Sequence, residues 1–416
     1  MTAPLVMKFG GTSVGGGAQI ARAAAIAVEA SGARPVAVVV SAMSGTTDTL
    51  LGYADATAGA FADSSLLTTT DAIAPDGDGS FAELRETLAE RHLRAAREVV
   101  PEEYLPEVEN AVLGLLDNLG RVLETKAVSP SARRAEVAVH GEWMSARIMA
   151  GAVRGLGVDA EVARDPIATS ADYREGEVKV EETARRTGEY VRPILERGAV
   201  AVVPGYVGHT PSGRPTTLGR GGSDLSATVL GRALGSEEVW ILSDVDGVLD
   251  ADPRLVPDAA LMERLSYREA SIFASLGAKV LHPRTMEPAA ETGMEVRVRN
   301  TFNPDCEGTL VSGFEDGDGV RCVALRRSFT VEIPCAPSHR REAATVVCIG
   351  APHKRDLNRG LRALKRAKIP AVHAGKAPAG LVFVVYAEAA DEALRVLHAE
   401  FLAPAKTRKP VEEGVA

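Results

Sequence analysis

Two glycine-rich stretches carry the charged side chains that are best suited to chemistry. The first begins as the apolar run Leu5–Phe9, which holds Lys8 and breaks into Gly10 and Gly11. Glycines let backbone N–H groups approach a phosphate closely, the N-terminus of the next helix favours an anion, and a lysine adds a full positive charge. The pattern predicts a phosphate-binding loop, and its competing interpretation is an ordinary glycine-rich turn after a strand.

The second stretch, Thr216–Asp224, contains three glycines, Arg220 and an aspartate that opens the predicted helix 225–234. A glycine-rich turn that only reversed the chain direction would need neither the arginine nor the aspartate. The stretch therefore predicts a second anion site at the N-terminus of a helix, with a carboxylate beside it.

Polar side chains also follow other predicted strands. A hydroxyl-rich loop from Ser41 to Asp48 follows one buried run, and Ser243 and Asp244 follow another. The competing interpretation of the first loop is a capped turn in which Thr47 or Asp48 starts the next helix. The carboxyl ends of parallel strands form one edge of an open α/β sheet, where ligands bind. Four aspartates occur within nine residues from Asp244 onward but lack the spacing of a calcium loop, so they favour nucleotide-bound magnesium or a ribose.

The elements that must position these residues are those of an α/β chain. Buried aliphatic runs predict parallel strands, and amphipathic or alanine-rich stretches predict helices. A run from Ala135 predicts a strand that leads into a helix carrying Glu142, where a carboxylate could equally serve only the helix dipole. The other predicted strands are 35–40, 159–163, 199–203, 238–242, 346–350 and 381–386. The predicted helices include 18–29, 81–125, 225–234, 356–368 and 391–401, and 51–130 form a helical insertion.

Length and composition limit the class of protein. A chain of 416 residues is too long for one core, so two or three domains are expected. The 45% hydrophobic content, 40 glycines and 4% aromatic residues are typical of aliphatic cores on parallel sheets and predict an α/β enzyme. No apolar run reaches the ~18 residues of a membrane span and no signal-peptide pattern is present, so we expect a cytoplasmic protein without a membrane partner.

Cysteine and charge patterns disfavour other classes. The four cysteines have no metal-ligand spacing and are expected to be free thiols. The net charge of −9 argues against nucleic acid as a partner, although the residues from Val320 onward hold 17 Lys and Arg against 9 Asp and Glu. Many of these cations lie on the predicted helix 356–368, whose leucines share one face, so the charges are expected to face solvent.

Known nucleotide fingerprints narrow the chemistry. A dinucleotide fold requires Gly-x-Gly-x-x-Gly and an acid after the second strand, whereas Thr12 replaces the middle glycine here and Ser41 stands where the acid belongs. The P-loop and protein-kinase motifs are also absent from the sequence. Two glycine cradles with Lys8, Arg220 and Asp224 suit phosphoryl transfer, which depends on positioning and on neutralising charge.

The ordered motifs resemble those of the aspartate kinases of the amino-acid kinase superfamily. The resemblance implies the amino-acid kinase fold, a three-layer α/β sandwich with a mostly parallel central sheet. It also implies ATP-dependent phosphorylation of the side-chain carboxylate of L-aspartate, which gives 4-phospho-L-aspartate for the lysine, threonine, methionine or ectoine routes. The motifs that carry it, from Lys8 to about Leu310, are Lys8–Ser13, Ser41 with Thr47, Gly141–Glu142, Thr217–Asp224, Ser243–Asp244, Asp252–Arg254 and Gly277–Pro283.

The resemblance implies a role for each matched residue. Lys8 and Asp224 are the implied catalytic residues, with Mg²⁺ carried by ATP near Asp224. Arg220 is implied to hold the substrate α-carboxylate and Glu142 its ammonium, chemistry that a guanidinium fork and a carboxylate fit. The implied hydroxyls at the reacting end of aspartate are Ser41 and Thr47, and the implied nucleotide-binding residues are Gly10, Gly11, Ser13, Gly221, Gly222, Ser223, Ser243, Asp244, Arg254 and Lys279.

The same resemblance divides the chain into domains. Residues 1–313 are expected to form the kinase domain and 320–403 a small α+β ACT-like domain, reduced from the usual two modules. A flexible tail is expected at 404–416. ACT modules pair between subunits, so the resemblance implies a homodimer. Leu249 stands where the family usually has a tyrosine near the nucleotide, so an aromatic contact to ATP is lost.

Two alternatives stay open. One is a homologous kinase for another small acid, such as glutamate or a substituted aspartate, in a specialised pathway. The other is a non-catalytic subunit that binds nucleotide or amino acid without turnover. The presence of Arg220, Glu142, Ser41 and Thr47 favours aspartate as the substrate. The presence of both Lys8 and Asp224 favours catalysis over binding alone.

The effector site that the resemblance implies for the ACT-like domain is altered. The glycine turn that usually opens its helix is replaced by Pro352–Asp356, and Pro370–His373 stand where polar residues are expected. We therefore expect feedback inhibition by lysine or threonine to be weak or absent. Initial rates with each amino acid added at millimolar concentration test this expectation, and strong inhibition by either one would contradict it.

Overall fold

The computed structural model describes residues 2–57, 80–125, 129–276, 281–314, 319–333, 336–378 and 380–402. These residues form two compact units. The first comprises the chain up to residue 246 together with 284–307, and the second comprises 247–283 together with the described residues from 308 onward.

Some sequence predictions fall outside the described residues. Lys279, residues 58–79 and 126–128 of the expected helical insertion, and the expected tail at 404–416 are among them. Each compact unit combines two separate stretches of the chain, whereas the sequence-based domains are continuous. The domain boundaries at 313 and 320 therefore stay predictions.

Strands and helices alternate along most of the chain. The strands are β1 (Leu5–Phe9), β2 (Val36–Val40), β3 (Ala160–Val162), β4 (Val200–Pro204), β5 (Val207–His209), β6 (Pro215–Thr217), β7 (Glu238–Ser243), β8 (Arg264–Ser266), β9 (Glu295–Asn300), β10 (Thr309–Ser312), β11 (Gly319–Ile333), β12 (Ala336–Ala351), β13 (Ala371–Ala377) and β14 (Gly380–Tyr386). The helices are α1 (Gly17–Ser31), α2 (Thr46–Thr57), α3 (Phe81–Val99), α4 (Leu105–Glu124), α5 (Pro130–Ala138), α6 (His140–Gly155), α7 (Val180–Tyr190), α8 (Arg192–Glu196), α9 (Gly222–Leu234), α10 (Tyr267–Ser275), α11 (Pro283–Thr292), α12 (Lys354–Arg366) and α13 (Ala390–Phe401).

A parallel sheet forms the middle of the first unit. Its described strands lie in the order β3-β4-β2-β1-β7-β9, and each neighbouring pair is parallel. Every residue of β1, β2 and β4 is buried. Burial on both faces explains why these strands are continuous aliphatic runs instead of alternating ones.

Helices cover both faces of this sheet. Leu5, Met7 and Phe9 of β1 belong to a core shared with α1, α3, α4 and α6. Successive side chains of a strand point to opposite faces, so Lys8 points away from that core. Helix α9 packs against β1 and β7 on the face to which Lys8 points. This arrangement confirms the predicted three-layer α/β fold.

The carboxyl ends of the central strands are aligned by backbone hydrogen bonds. The amide of Ser41 donates to Phe9 O at 3.1 Å, and the amide of Gly10 donates to Leu242 O at 3.1 Å. The loops that begin at Gly10, Ser41 and Ser243 therefore start at one edge of the sheet, as the sequence predicted.

The strand predicted from Ala135 is wrong, because these residues are helical. Ser129 caps α5 by accepting a hydrogen bond from Ala132 N at 3.1 Å, and Pro130 occupies the first turn. Helix α6 follows after a single residue, Val139, so its start is set by α5. A short apolar run that is buried all round cannot be assigned to strand or helix by periodicity alone. The Ser-Pro pair was the signal that favoured a helix.

The second unit contains a small α+β module. Strands β11-β12-β14-β13 form an antiparallel sheet, and α12 and α13 pack on it through a core that includes Val346, Phe383, Leu364 and Leu394. The predicted α+β module is confirmed. Strand β13 was not predicted, because residues 371–377 lack a clear alternation of apolar and polar side chains.

The segment that follows Asp246 packs with this module and belongs to the second unit. Ala251 and Val256 lie in the same core as Leu394 of α13. Asp250 accepts from Ala260 N at 3.0 Å, and His398 Nε2 lies 3.1 Å from the same carboxylate oxygen. A segment that the sequence assigned to the nucleotide site is therefore held by α13.

No helix within the described part of the chain is long and apolar enough to cross a membrane. The cytoplasmic location stays a prediction. Cys306, Cys322 and Cys348 are free thiols, as expected, and Cys335 lies outside the described residues.

Lys368 follows α12 in a conformation that favours glycine. Its φ is +59°, and the next amide, Ile369 N, donates back to Leu364 O at 2.9 Å, as in a glycine-terminated helix. Because a Cβ atom is strained there, Lys368→Gly is expected to raise the free energy of unfolding by about 0.5–1 kcal/mol, measured by urea denaturation. Lys365→Gly, inside α12, is the control and is expected to lower it by about 1 kcal/mol. Equal effects of the two substitutions would contradict the prediction.

Candidate active site

A cavity of about 810 Å³ opens in the first unit at the carboxyl edge of the sheet, and we call it the central cavity. Both glycine-rich stretches contribute to it, together with the loop after β2 and the start of α6. Of the predicted site residues, those that line it are Lys8, Ser41, Thr47, Glu142, Arg220, Gly221, Gly222, Ser223 and Asp224.

Lys8 and Asp224 form an ion pair on the wall of the central cavity. Lys8 Nζ lies 2.6 Å from Asp224 Oδ1, and both side chains are nearly buried, at 11% and 13% exposure. The lysine comes from the middle strand of the sheet and the aspartate from the first turn of α9. The predicted meeting of the two glycine stretches is therefore present, with opposite charges in direct contact.

The second glycine stretch takes a backbone path that other residues would strain. Gly219 and Gly221 have φ of +75° and +67°, so α9 begins from a left-handed residue without a side-chain cap. A Cβ on Gly222 would lie 2.7 Å from Cδ2 of Tyr206. The glycines therefore allow the open N-terminus of α9 to face the central cavity, where its dipole favours an anion.

Glu142 is a buried acid at the other side of the central cavity. Burial raises its pKa to about 8, although the amides of Ala42 and of Glu142 itself donate hydrogen bonds that oppose the shift. Its Oε2 atom has no hydrogen-bond partner within the described part of the chain. A buried acceptor without a partner is costly, so this oxygen is suited to a donor brought by a ligand.

Gly141 allows Glu142 to reach the hydroxyl loop. A Cβ on Gly141 would lie 2.7 Å from Cβ of Ala42 and 3.2 Å from Cγ2 of Thr46. Helix α6 therefore packs directly on the loop that carries Ser41 and on the first turn of α2, which carries Thr47. This close approach places the buried carboxylate and the two hydroxyl groups around the same cavity.

Arg220 lies at the tip of the second glycine stretch. It is exposed, and within the described part of the chain its guanidinium forms no ion pair or side-chain hydrogen bond. A free guanidinium in a cavity that also holds a buried acid is suited to binding a carboxylate in two-point fashion. The pair of Arg220 and Glu142 therefore matches the two charged groups of an α-amino acid.

Several predicted nucleotide residues do not line the central cavity. Gly10 and Gly11 lie beside it, where a Cβ on Gly10 would be 3.4 Å from Lys8 Nζ. Ser13 is buried, and its hydroxyl lies 2.7 Å from that of Thr301. This hydrogen bond stabilises the first glycine-rich stretch and does not face the cavity.

The remaining predicted residues are placed differently. Ser243 ends β7 at the same sheet edge, and Asp244 follows it on the surface. Arg254 belongs to the second unit and is ion-paired with Asp252 at 2.6 Å. Lys279 is not among the described residues.

Sequence reasoning missed other residues of the cavity wall. Tyr206 has a φ of +67°, and its backbone is held by hydrogen bonds from Leu218 N to its carbonyl and from its amide to Ser226 Oγ. Arg134 and Asp55 line the cavity as an ion pair. The glycine before Tyr206 was a sequence signal for a turn at this point of the chain. Arg134 and Asp55 are single charged residues on helices, and such residues give no sequence signal for a site.

The described residues include no group of three or more His, Cys, Asp or Glu side chains arranged to hold a metal ion. Asp224 is a carboxylate in the cavity, and its contact with Lys8 already compensates part of its charge. An ion that keeps phosphate and water ligands, as Mg²⁺ does, fits this donor set better than an ion held by protein alone.

The family profile of the amino acid kinases matches residues 3–300. This match covers more than half of the chain, in agreement with the parallel sheet, the two glycine stretches and the Lys8–Asp224 pair. The chain belongs to the amino acid kinase family.

Among curated proteins, aspartokinases are similar to this chain. Aspartokinase 1, chloroplastic, of Arabidopsis thaliana is 33% identical over 339 residues, which cover 78% of this chain and 55% of that protein. Aspartokinase 2, chloroplastic, of the same plant is 33% identical over 332 residues, with 78% and 58% covered. The predicted resemblance to aspartate kinases is confirmed. The chain spans little more than half the length of these relatives.

Solved aspartokinase structures share the fold. E. coli aspartokinase III in complex with aspartate and ADP superposes with a TM-score of 0.76 at 24% identity, covering 95% of this chain and 99% of that one. Aspartate kinase from Clostridium acetobutylicum superposes with a TM-score of 0.73 at 18% identity, covering 95% and 100%. The likeness confirms the fold across both units.

The buried state of Glu142 predicts a dependence of stability on pH. Its pKa rises from an ordinary value of 4.5 to about 8 on folding, so the stability it contributes is present below pH 4.5 and is lost as the pH rises towards 8. Glu142→Gln has no such proton. The free energy of unfolding of this variant, relative to wild type, is therefore expected to increase between pH 5 and pH 8, as measured by urea denaturation. The exposed Glu181→Gln is the control, and the same trend in both variants would contradict the prediction.

Proposed function

We propose that this protein transfers the γ-phosphoryl group of ATP to the side-chain carboxylate of L-aspartate, giving 4-phospho-L-aspartate and ADP. The observation that supports this most directly is that one cavity holds the Lys8–Asp224 ion pair together with the Arg220 guanidinium and a carboxylate oxygen of Glu142, both of which lack a partner among the described residues. E. coli aspartokinase III, which shares the fold, binds aspartate and ADP.

The acceptor end selects an α-amino acid. Arg220 takes the α-carboxylate in a two-point contact, and Glu142 accepts from the ammonium. Because burial keeps the Glu142 pKa near 8, the ammonium also supplies the positive charge that lets this carboxylate ionise at neutral pH. Ser41 and Thr47 then hold the side-chain carboxylate of the acceptor.

The donor end stabilises charge on the transferring phosphoryl group. The carboxylate oxygen of aspartate attacks the γ-phosphorus while the bond to the β-phosphate oxygen breaks, and no proton needs to move because the nucleophile is already ionised. Lys8 neutralises the developing charge, and Asp224 holds Lys8 in place. The amide groups at the start of α9 and along Gly10 and Gly11 bind the phosphates.

Magnesium fits the same end of the cavity. Asp224 would hold the ion together with the nucleotide phosphates, and the ion would supply further charge neutralisation there. The same proposal covers the C-terminal α+β module. We propose that this module is ACT-like, that it pairs two copies of the chain into a homodimer, and that lysine and threonine inhibit the enzyme weakly or not at all.

Release of ADP with each of a panel of acceptors tests the proposed reaction. We expect turnover with ATP and L-aspartate, and much less with glutamate, N-substituted aspartate or succinate. Preferred turnover of another acid would favour the homologous kinase, and no turnover with any acceptor would favour a binding subunit.

Lys8→Ala tests the role of the ion pair. Removing the charge at the phosphoryl group is expected to lower kcat by about 10²–10³-fold. Lys179→Ala removes an exposed lysine that pairs with Glu177 outside the central cavity and serves as the control. Circular dichroism confirms that both variants are folded, and a Lys8→Ala variant with near wild-type kcat would exclude the proposed mechanism.

A further inference from the structure

The central cavity contains a second, largely buried arginine that the proposed reaction does not use. Arg134 of α5 lines the cavity, and its side chain is only 24% exposed. Its guanidinium is ion-paired with Asp55 of α2, which lines the same cavity. Arg220, by contrast, has no such partner within the described part of the chain.

Arg134 lies at the acceptor end of the cavity. Arg134 is carried by α5, and a single residue, Val139, separates α5 from the helix α6 that carries Glu142 in its first turn. The side chains of Arg134, Glu142 and Tyr206 all line the central cavity. An acceptor bound to Glu142 therefore shares that cavity with the Arg134 guanidinium.

An unpaired Arg134 would compete for the acceptor. A guanidinium offers the same two-point geometry to any carboxylate, and one that is three-quarters buried binds it in a poorly hydrated setting. A dicarboxylate would then find two guanidinium groups, those of Arg134 and Arg220, on the wall of the same cavity. Binding to both groups needs no ammonium and competes with the pose in which one carboxylate faces the phosphoryl group.

We propose that the Asp55–Arg134 ion pair determines acceptor specificity, because it neutralises Arg134 and leaves Arg220 as the guanidinium that the acceptor carboxylate takes. The inference rests on the proposed function, since it concerns the acceptor end of the same cavity. Asp55 is a positioning residue, and it acts on the acceptor through its ion pair with Arg134. Arg174, another arginine of the cavity wall, is exposed beside Asp172 and is not part of this device.

Succinate is a suitable probe, because it has the two carboxylates of aspartate and no ammonium. Asp55→Asn keeps the shape of the side chain and removes its charge. The Kd of succinate, measured by titration calorimetry without nucleotide, is expected to fall about tenfold, as a new charged hydrogen bond permits. In the double variant Asp55→Asn/Arg134→Gln the Kd is expected to return to within about twofold of wild type, because the gain requires a free Arg134.

Asp117→Asn is the matched control. It breaks the exposed Arg85–Asp117 pair between α3 and α4, which lies outside the cavity, and should leave the Kd of succinate unchanged. If Asp55→Asn is unstable, Asp55→Ser removes the same charge. A Kd unchanged by loss of Asp55, or a gain that persists in the double variant, would overturn the proposal.

The binding measurement also separates this inference from the proposed function. Calorimetry needs no turnover, so a protein that phosphorylates no acceptor would refute the proposed function while the succinate result still tests the ion pair. In an active enzyme, Asp55→Asn should also lower the inhibition constant of succinate against aspartate about tenfold, since a free Arg134 binds the second carboxylate of succinate. An unchanged inhibition constant would refute the inference and leave the kinase activity standing.

Discussion

The contact between Lys8 and Asp224 is the interaction on which the rest of the site depends. Each charge is nearly buried, and neither would be stable there without the other. The pair can form only if Lys8 sits on a buried strand with its side chain towards α9, and if α9 begins close to that strand. Gly205 permits this approach, because a Cβ there would lie 2.9 Å from Ser223. Small residues around the ion pair are therefore a requirement of its geometry.

The charged groups of the central cavity are of two kinds, and we assign the paired ones to the donor end and the unpaired ones to the acceptor end of the proposed reaction. At the donor end of the proposed reaction, the contact with Asp224 fixes the position of the Lys8 ammonium before any phosphate arrives. At the acceptor end of the proposed reaction, one oxygen of Glu142 and the Arg220 guanidinium have no partner among the described residues, so binding energy becomes available there only when a ligand supplies both an ammonium and a carboxylate. This separation suits an enzyme that must recognise an amino acid and hold a polyphosphate in one cleft.

Packing assigns residues to units in a way that chain order does not. The segment around Asp250 follows directly from the kinase-type sheet in sequence, yet it shares a core with α13 and is fastened by His398. Arg254, expected at the nucleotide site, is carried by this segment. Any change in the C-terminal module that moves α13 would act first on the residues that it holds.

The sequence by itself determined the elements and chemistry that are written in local pattern. Continuous aliphatic runs identified the buried parallel strands, and glycines beside Lys8, Arg220 and Asp224 identified the loops, because each signal lies within a few residues. The helix at Ala135 was missed because a fully buried run has no distinguishing period. Tertiary structure alone decided that Ser13 bonds to Thr301, that Glu142 is buried enough to hold its proton, and that Asp55 meets Arg134. These properties depend on partners distant in sequence, on burial and on dielectric environment, and none of these can be read from neighbouring residues.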